Sequence, residues 1–137
     1  MSESNQPFPA PVRALPQDSR VLVLESDRLI QALIVEWLQM AGNRTVCATD
    51  LAAATRLEHR PDVVLADVPA PHRAARLTVR RLTQAMPGTP VIAMSADVAA
   101  IGHAASEALA RELGAVAVLV KPFTQHALLR AIHRARA

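Results

Sequence analysis

Five residues with chemical potential each stand directly after a short apolar run. Glu25 and Ser26 follow Val21 to Leu24, Asp67 follows Val63 to Ala66, Ser95 follows Val91 to Met94, and Lys121 follows Val116 to Val120. A carboxylate can act as a nucleophile and carry an acyl phosphate. Carboxylates also suit a hard divalent cation such as Mg²⁺, which takes one or two of them and keeps most of its waters. An ammonium and a hydroxyl close by would neutralise and orient phosphoryl oxygens. The set therefore points to phosphoryl chemistry at an acid, provided that four distant segments meet.

The elements that must bring them together are legible in two alternating periodicities. The apolar runs are short and rich in Val, Ile and Leu, as strands covered on both faces of a parallel sheet are. A further strand is predicted over Arg44 to Ala48, with Cys47 as a small core residue. Between the strands run helical stripes. The first carries Leu29, Ile30, Leu33, Ile34, Trp37, Leu38 and Ala41, with Ser26 or Asp27 as cap, Trp37 in the core and Gly42 as stop. Asp27, already turning into the helix, suits a cap better than a ligand. The second helix is capped by Asp50, shows Leu51, Ala54 and Leu57, and ends before Pro61; the third runs from Ala74 to Ala85 and ends at Pro87-Gly88. Asp97 is a candidate cap for a fourth, alanine-rich helix ending at Gly114, and Thr124 caps the fifth. Five strands alternating with five helices predict an α/β, doubly wound parallel sheet with helices on both faces. In such a sheet all strands point one way, so the strand-end residues share one rim.

Composition narrows the function classes. The chain has 137 residues, about half of them apolar, which suits one domain with a single core. Residues 1–19, with Pro7, Pro9, Pro11 and Pro16, read as a disordered or extended tail before a domain over 20–137. No apolar run approaches the ~20 residues that span a bilayer, and no signal-peptide pattern opens the chain. The single Cys47 has no disulfide or CxxC partner, so a cytoplasmic setting is expected. The formal charge is +3, with arginine clusters at Arg80-Arg81 and around Arg130, His133, Arg134 and Arg136. Phe8, Trp37 and Phe123 are the only aromatics, too few for a single-strand stacking platform, so direct nucleic-acid binding is not expected. His59, His126 and His133 lack ligand spacing, and His72 and His103 read as solvated. No GxGxxG or P-loop follows the first strand, which disfavours a flavodoxin-like nucleotide binder.

The stretches "VLVLESD", "PDVVLADVPAP", "VIAMSA" and "GAVAVLVKPF", in this order, resemble the receiver domain of two-component response regulators, of the stand-alone chemotaxis type. The resemblance covers about residues 20 to 137. It implies a flavodoxin-like fold with strand order 2-1-3-4-5. It implies that Asp67 accepts a phosphoryl group, with Pro71 four residues on, that Ser95 is the switch hydroxyl and that Lys121 is the conserved lysine before a cis Pro122. Mg²⁺ would be the cofactor, held by Glu25, Ser26 and Asp67. The implied partners are a sensor histidine kinase or histidine phosphotransfer protein and a downstream protein on the face of the fourth helix, fifth strand and fifth helix, with a homodimer as a further option. With the chain ending soon after its fifth helix, output is expected through protein docking or phosphorelay, not through enzymatic activity.

The sequence departs from the family at several points. Ser26 stands where the second acid of the metal-binding pair usually stands, and a neutral hydroxyl is a poorer ligand for a hard cation. Two readings follow: phosphorylation with weakened Mg²⁺ affinity, or a phosphorylation-independent pseudo-receiver that docks or dimerises. Val118 replaces the usual aromatic of the fifth strand, and the chain has no tyrosine. The loop "VPAPHRAAR" lacks the common glycines and acid, and the segment from Ser95 to Gly114 is a few residues longer than in the small chemotaxis regulator.

Overall fold

A computed structural model describes residues 19–69, 71–96 and 106–136. Five strands, β1 (Arg20–Leu24), β2 (Arg44–Ala48), β3 (Val63–Asp67), β4 (Val91–Ser95) and β5 (Ala117–Val120), form one sheet in the order β2-β1-β3-β4-β5. Every pairing is parallel. The helices are α1 (Arg28–Met40), α2 (Leu51–Ala54), α3 (His72–Ala85), α4 (Ser106–Leu113) and α5 (Gln125–Arg136). The expected architecture and strand order are both observed.

Strand pleating sends alternate residues to opposite faces. Val21, Val23, Val63, Leu65, Ile92 and Met94 meet Ile34 and Leu38 of α1 and Leu128 and Ile132 of α5. Leu22, Leu24, Val64, Ala66, Val91 and Ala93 meet Ala54 of α2, Ala75, Val79 and Leu82 of α3, and Leu113 of α4. The central runs are buried on both sides, which is why they are continuously apolar and not alternating.

Helix α1 starts where Asp27 Oδ1 accepts the N–H groups of Leu29 and Ile30 at 2.9 and 3.1 Å, satisfying two orphan donors. It ends at Ala41, and Gly42 takes φ 93°, where a Cβ would be strained. The stripe read from the sequence is too wide. Leu29 is 84% exposed and Leu33 45%, whereas Ile34 and Leu38 are buried and Trp37 is half-buried against Phe123. One helix can press only about a third of its circumference on a flat sheet.

Three other expectations need correction. Helix α2 stops after Ala54, so Leu57 packs on the core from a turn and not from a helix. Cys47 is exposed, because β2 is an edge strand whose residues 44–47 are exposed or only partly buried. His72 is exposed, as expected, at the start of α3, and its Nε2 lies 3.3 Å from Glu112 Oε1. Strand β5 begins at Ala117, one residue after the expected Val116, which still donates its N–H to the Val91 carbonyl. Thr124 caps α5 as expected, its Oγ1 accepting from the Ala127 N–H at 3.0 Å. The N-terminal tail up to residue 18, the Asp97 cap, His103 and the extra length before α4 lie outside the described residues.

Candidate functional site

The rim is built by register. Leu24 lies beside Ala66 and Asp67 beside Met94, so Glu25 and Asp67 come out at the same level on β1 and β3, with Ser95 one residue further out on β4. Ser95 lies beside Val120, and its carbonyl accepts the Lys121 N–H at 2.8 Å. Lys121 is thereby fixed at the fourth strand end of the same rim. The Lys121–Pro122 peptide is cis.

Lys121 joins the two acids. Its Nζ donates to Glu25 Oε1 at 2.7 Å and to Asp67 Oδ1 at 2.9 Å. Glu25 is 2% exposed, so a lone carboxylate there would be costly; the ammonium compensates it. Glu25 is held further by the Asp27 N–H, which donates to Oε2 at 3.0 Å, and by Gln31, whose Nε2 donates to the Glu25 carbonyl at 3.1 Å. Both Glu25 oxygens are thus engaged, and Asp27 is committed to the α1 cap. Asp67 is different. Its side chain is about one-third exposed, and its second carboxylate oxygen accepts no hydrogen bond among the described residues. Burial pulls the Lys121 pKa down, but hydrogen bonds and charge from Glu25 and Asp67 outweigh it, and the net shift is upward. The ammonium therefore stays charged at any ordinary pH.

Asp67 opens into a cleft of about 290 Å³ that Ser26, Asp50, Pro69, Thr78 and Arg81 also line. The acids, serine and lysine were legible in the sequence. Asp50, Thr78 and Arg81 were not singled out for the site. Asp50 follows the end of β2, next to β1 on the rim, and that placement is the signal that could have found it. Thr78 and Arg81 arrive on α3, from a direction that strand ends do not foretell.

The donor set fits a hard cation. Asp67 and Ser26 present oxygens to the cleft, and Glu25 contributes a second negative charge behind Lys121. No three His, Cys, Asp or Glu residues cluster as a ready metal cage among the described residues. A carboxylate and a hydroxyl side chain lining one cleft suit a cation that takes few protein oxygens and keeps most of its waters, which is the habit of Mg²⁺.

The response regulator receiver domain family matches residues 21–133. The chain belongs to this family. The receiver is 25% identical to the chemotaxis response regulator CheY4 of Vibrio cholerae, with a TM-score of 0.67 over 86% of this chain and 98% of that one. It is 26% identical to the receiver domain of a sensor histidine kinase from Pseudomonas aeruginosa PAO1, with a TM-score of 0.67 over 85% of this chain and 96% of that one. In that structure a magnesium ion is coordinated in the active site cleft. The transcriptional regulatory protein CpxR of Escherichia coli is 32% identical over 115 residues, 83% of this chain and 47% of CpxR. The receiver thus spans about half the length of the curated relatives it matches. No described helix is long and apolar enough to cross a membrane.

Proposed function

We propose that this receiver is a phosphorylation-dependent signalling module in which Asp67 takes a phosphoryl group from a histidine kinase or a histidine phosphotransfer protein. The observation that carries the reading is the Lys121 ammonium bound at once to buried Glu25 and to Asp67, about one-third exposed. It leaves one Asp67 oxygen facing the cleft as the nucleophile. That oxygen attacks phosphorus, the P–N bond of the phosphohistidine breaks, and the departing imidazole nitrogen keeps the electron pair and takes a proton from water. Lys121 stays charged and neutralises oxygens of the new acyl phosphate. Ser95 stands one residue beyond the level of Asp67 on the neighbouring strand, and in this reading its hydroxyl follows the phosphoryl group. Asp67 and Ser26 would hold Mg²⁺ with Glu25 behind them, and the bound cation supplies charge neutralisation for the transferring group. Glu25 positions Lys121 and, through the Asp27 N–H, the start of α1. Output runs by protein docking, with the surface of α4, β5 and α5 as the proposed target face, and the setting is cytoplasmic.

The test is direct. The purified protein with Mg²⁺ and acetyl phosphate should gain the mass of one phosphoryl group, and Asp67→Asn should gain none. No gain in the wild type, or an equal gain in the variant, defeats the proposal and favours a receiver that docks without phosphorylation. Calorimetric Mg²⁺ titration of Ser26→Asp beside the wild type should show roughly tenfold tighter binding, since a hard cation prefers a carboxylate to a hydroxyl.

A further inference from the structure

Helix α3 carries Arg73, Arg76, Arg80 and Arg81 and not one acid in fourteen residues. Arg73, Arg76, Leu77 and Arg80 stand at i, i+3, i+4 and i+7, one face of the helix, opposite the buried Ala75, Val79 and Leu82. All four are exposed, Leu77 by 44%. This face works against the helix that bears it. Arg76 and Arg80 are like charges four residues apart, and Arg73 lies in the first turn, where the helix dipole disfavours cations. Folding stability alone does not select such a face. Among the described residues, none of Arg73, Arg76, Arg80 and Arg111 is in an ion pair.

The face is also one wall of a groove. Between α3 and the end of α4 lies a depression of about 780 Å³, with Arg111 on the far wall and Ala74 and Leu113 among its apolar lining. Glu112 also lines the groove, and its Oε1 lies 3.3 Å from His72 Nε2 at the start of α3. An arginine rim over an apolar floor has a specific complement.

We propose that the α3–α4 groove is a docking site for an acidic amphipathic helix of a partner protein. Such a helix would lay its apolar stripe on Leu77 and the groove floor and its Asp or Glu side chains against Arg73, Arg76, Arg80 and Arg111. Helix α3 is ~21 Å long at 1.5 Å per residue, room for a partner helix of about four turns. A nucleic-acid backbone matches the charge but offers nothing apolar for Leu77, and the described aromatics Trp37 and Phe123 lie on the opposite sheet face. A second copy presenting the same face would set arginines against arginines. This surface lies on the α3 side of α4 and shares only Arg111 with the depression on the α4, β5 and α5 face, and its recognition does not depend on whether Asp67 accepts phosphate.

The experiment is a selection from a phage-displayed library of random peptides of about 16 residues on the whole protein, followed by fluorescence anisotropy of the selected peptides. A duplex DNA of about 20 base pairs is a parallel probe. The expected winners are rich in Glu and Asp with Leu-type residues at i and i+3 or i+4. Their affinity should fall about tenfold or more in Arg73→Glu/Arg76→Glu/Arg80→Glu and fall again in Leu77→Ser. Circular dichroism verifies that these surface variants fold. Should the triple variant not fold, Arg111→Glu on the other wall is read in its place, with the same expectation. Neutral winners, winners that bind the variants as tightly as the wild type, or DNA that outbinds every peptide and is lost in the variants each overturn the proposal.

Discussion

Helices α1 and α2 begin alike and end differently. Each follows an outer or next-to-outer strand, and each starts on an aspartate that accepts backbone N–H groups of its first turn. Asp27 serves Leu29 and Ile30, and Asp50 Oδ1 accepts from Ala53 at 2.8 Å. Yet α1 runs for 13 residues and α2 for four. The cap nucleates both, but nucleation is the costly step only once; each later turn needs apolar area to offset its lost entropy. Helix α1 buries Ile34 and Leu38 with Trp37 and Ile30 beside them. Helix α2 buries Ala54 alone, and after it Thr55 turns its hydroxyl back to the Ala52 carbonyl while the Arg56 N–H shortens to Ala53. The short α2 has a consequence for the site. Asp50 and Leu51 form one wall of the cleft beside Asp67.

The sharpest break of that comparison is in the cores of the two helices. Leu38→Ala should cost about 3 to 4 kcal/mol in urea unfolding, because the site is fully buried and cannot collapse; Leu51→Ala, half-buried, should cost about 1 kcal/mol. Equal losses would mean that α2 carries as much of the fold as α1.

The next effect links the site to α1 only. Lys121→Met leaves the buried Glu25 carboxylate without its cation and should cost about 2 kcal/mol, less than a fully buried pair because Asp67 is partly solvated. Hydrogen exchange should quicken in the first turn of α1, which Glu25 anchors through Asp27, and stay unchanged in α2. The wild type should show the same coupling in alkali. The Lys121 pKa is raised by folding, so its stabilisation is whole below the usual lysine value of 10.5 and fades as pH climbs through the raised value. Chemical denaturation midpoints should therefore hold through neutral pH and fall only in that alkaline window, and Lys121→Met should lack this fall.

Smaller still is the difference between caps. Asp27→Ala should cost about 1 kcal/mol and Asp50→Ala about 0.5 kcal/mol, since a four-residue helix has little to lose. Last, Cys47 sits exposed on β2 between the two helices, with its thiol pKa raised by partial burial. Iodoacetamide should alkylate the folded protein slowly at neutral pH and faster above the raised pKa, and Cys47→Ser should change stability by less than about 0.5 kcal/mol. Protection of Cys47 in the folded state would show that the β2 edge is covered.

The strands and the strand-end residues were legible because burial on both faces leaves an unbroken apolar run, and the next residue is the first free to be polar. The Asp27 cap was legible for a similar local reason. The length of α2, the exposure of Leu29 and Leu33, and the outward Cys47 were not. Each depends on how much area a neighbouring element leaves to cover, and an identical local pattern serves both outcomes. The groove beside α3 was hidden for the same reason: the sequence shows scattered arginines, and only the seating of α3 against the end of α4 gathers them over an apolar floor.

The sequence by itself determined the order of strands and helices along the chain and which residue types stand where each buried run ends. It did so through short-range rules of periodicity, capping and burial. The tertiary structure alone decided that one ammonium is shared between Glu25 and Asp67, and that of these two acids Asp67 alone keeps a carboxylate oxygen without a hydrogen bond among the described residues. Hydrogen bonds between groups 54 and 96 residues apart exist only after strand register has been set. Register is a property of the whole sheet and of no single segment.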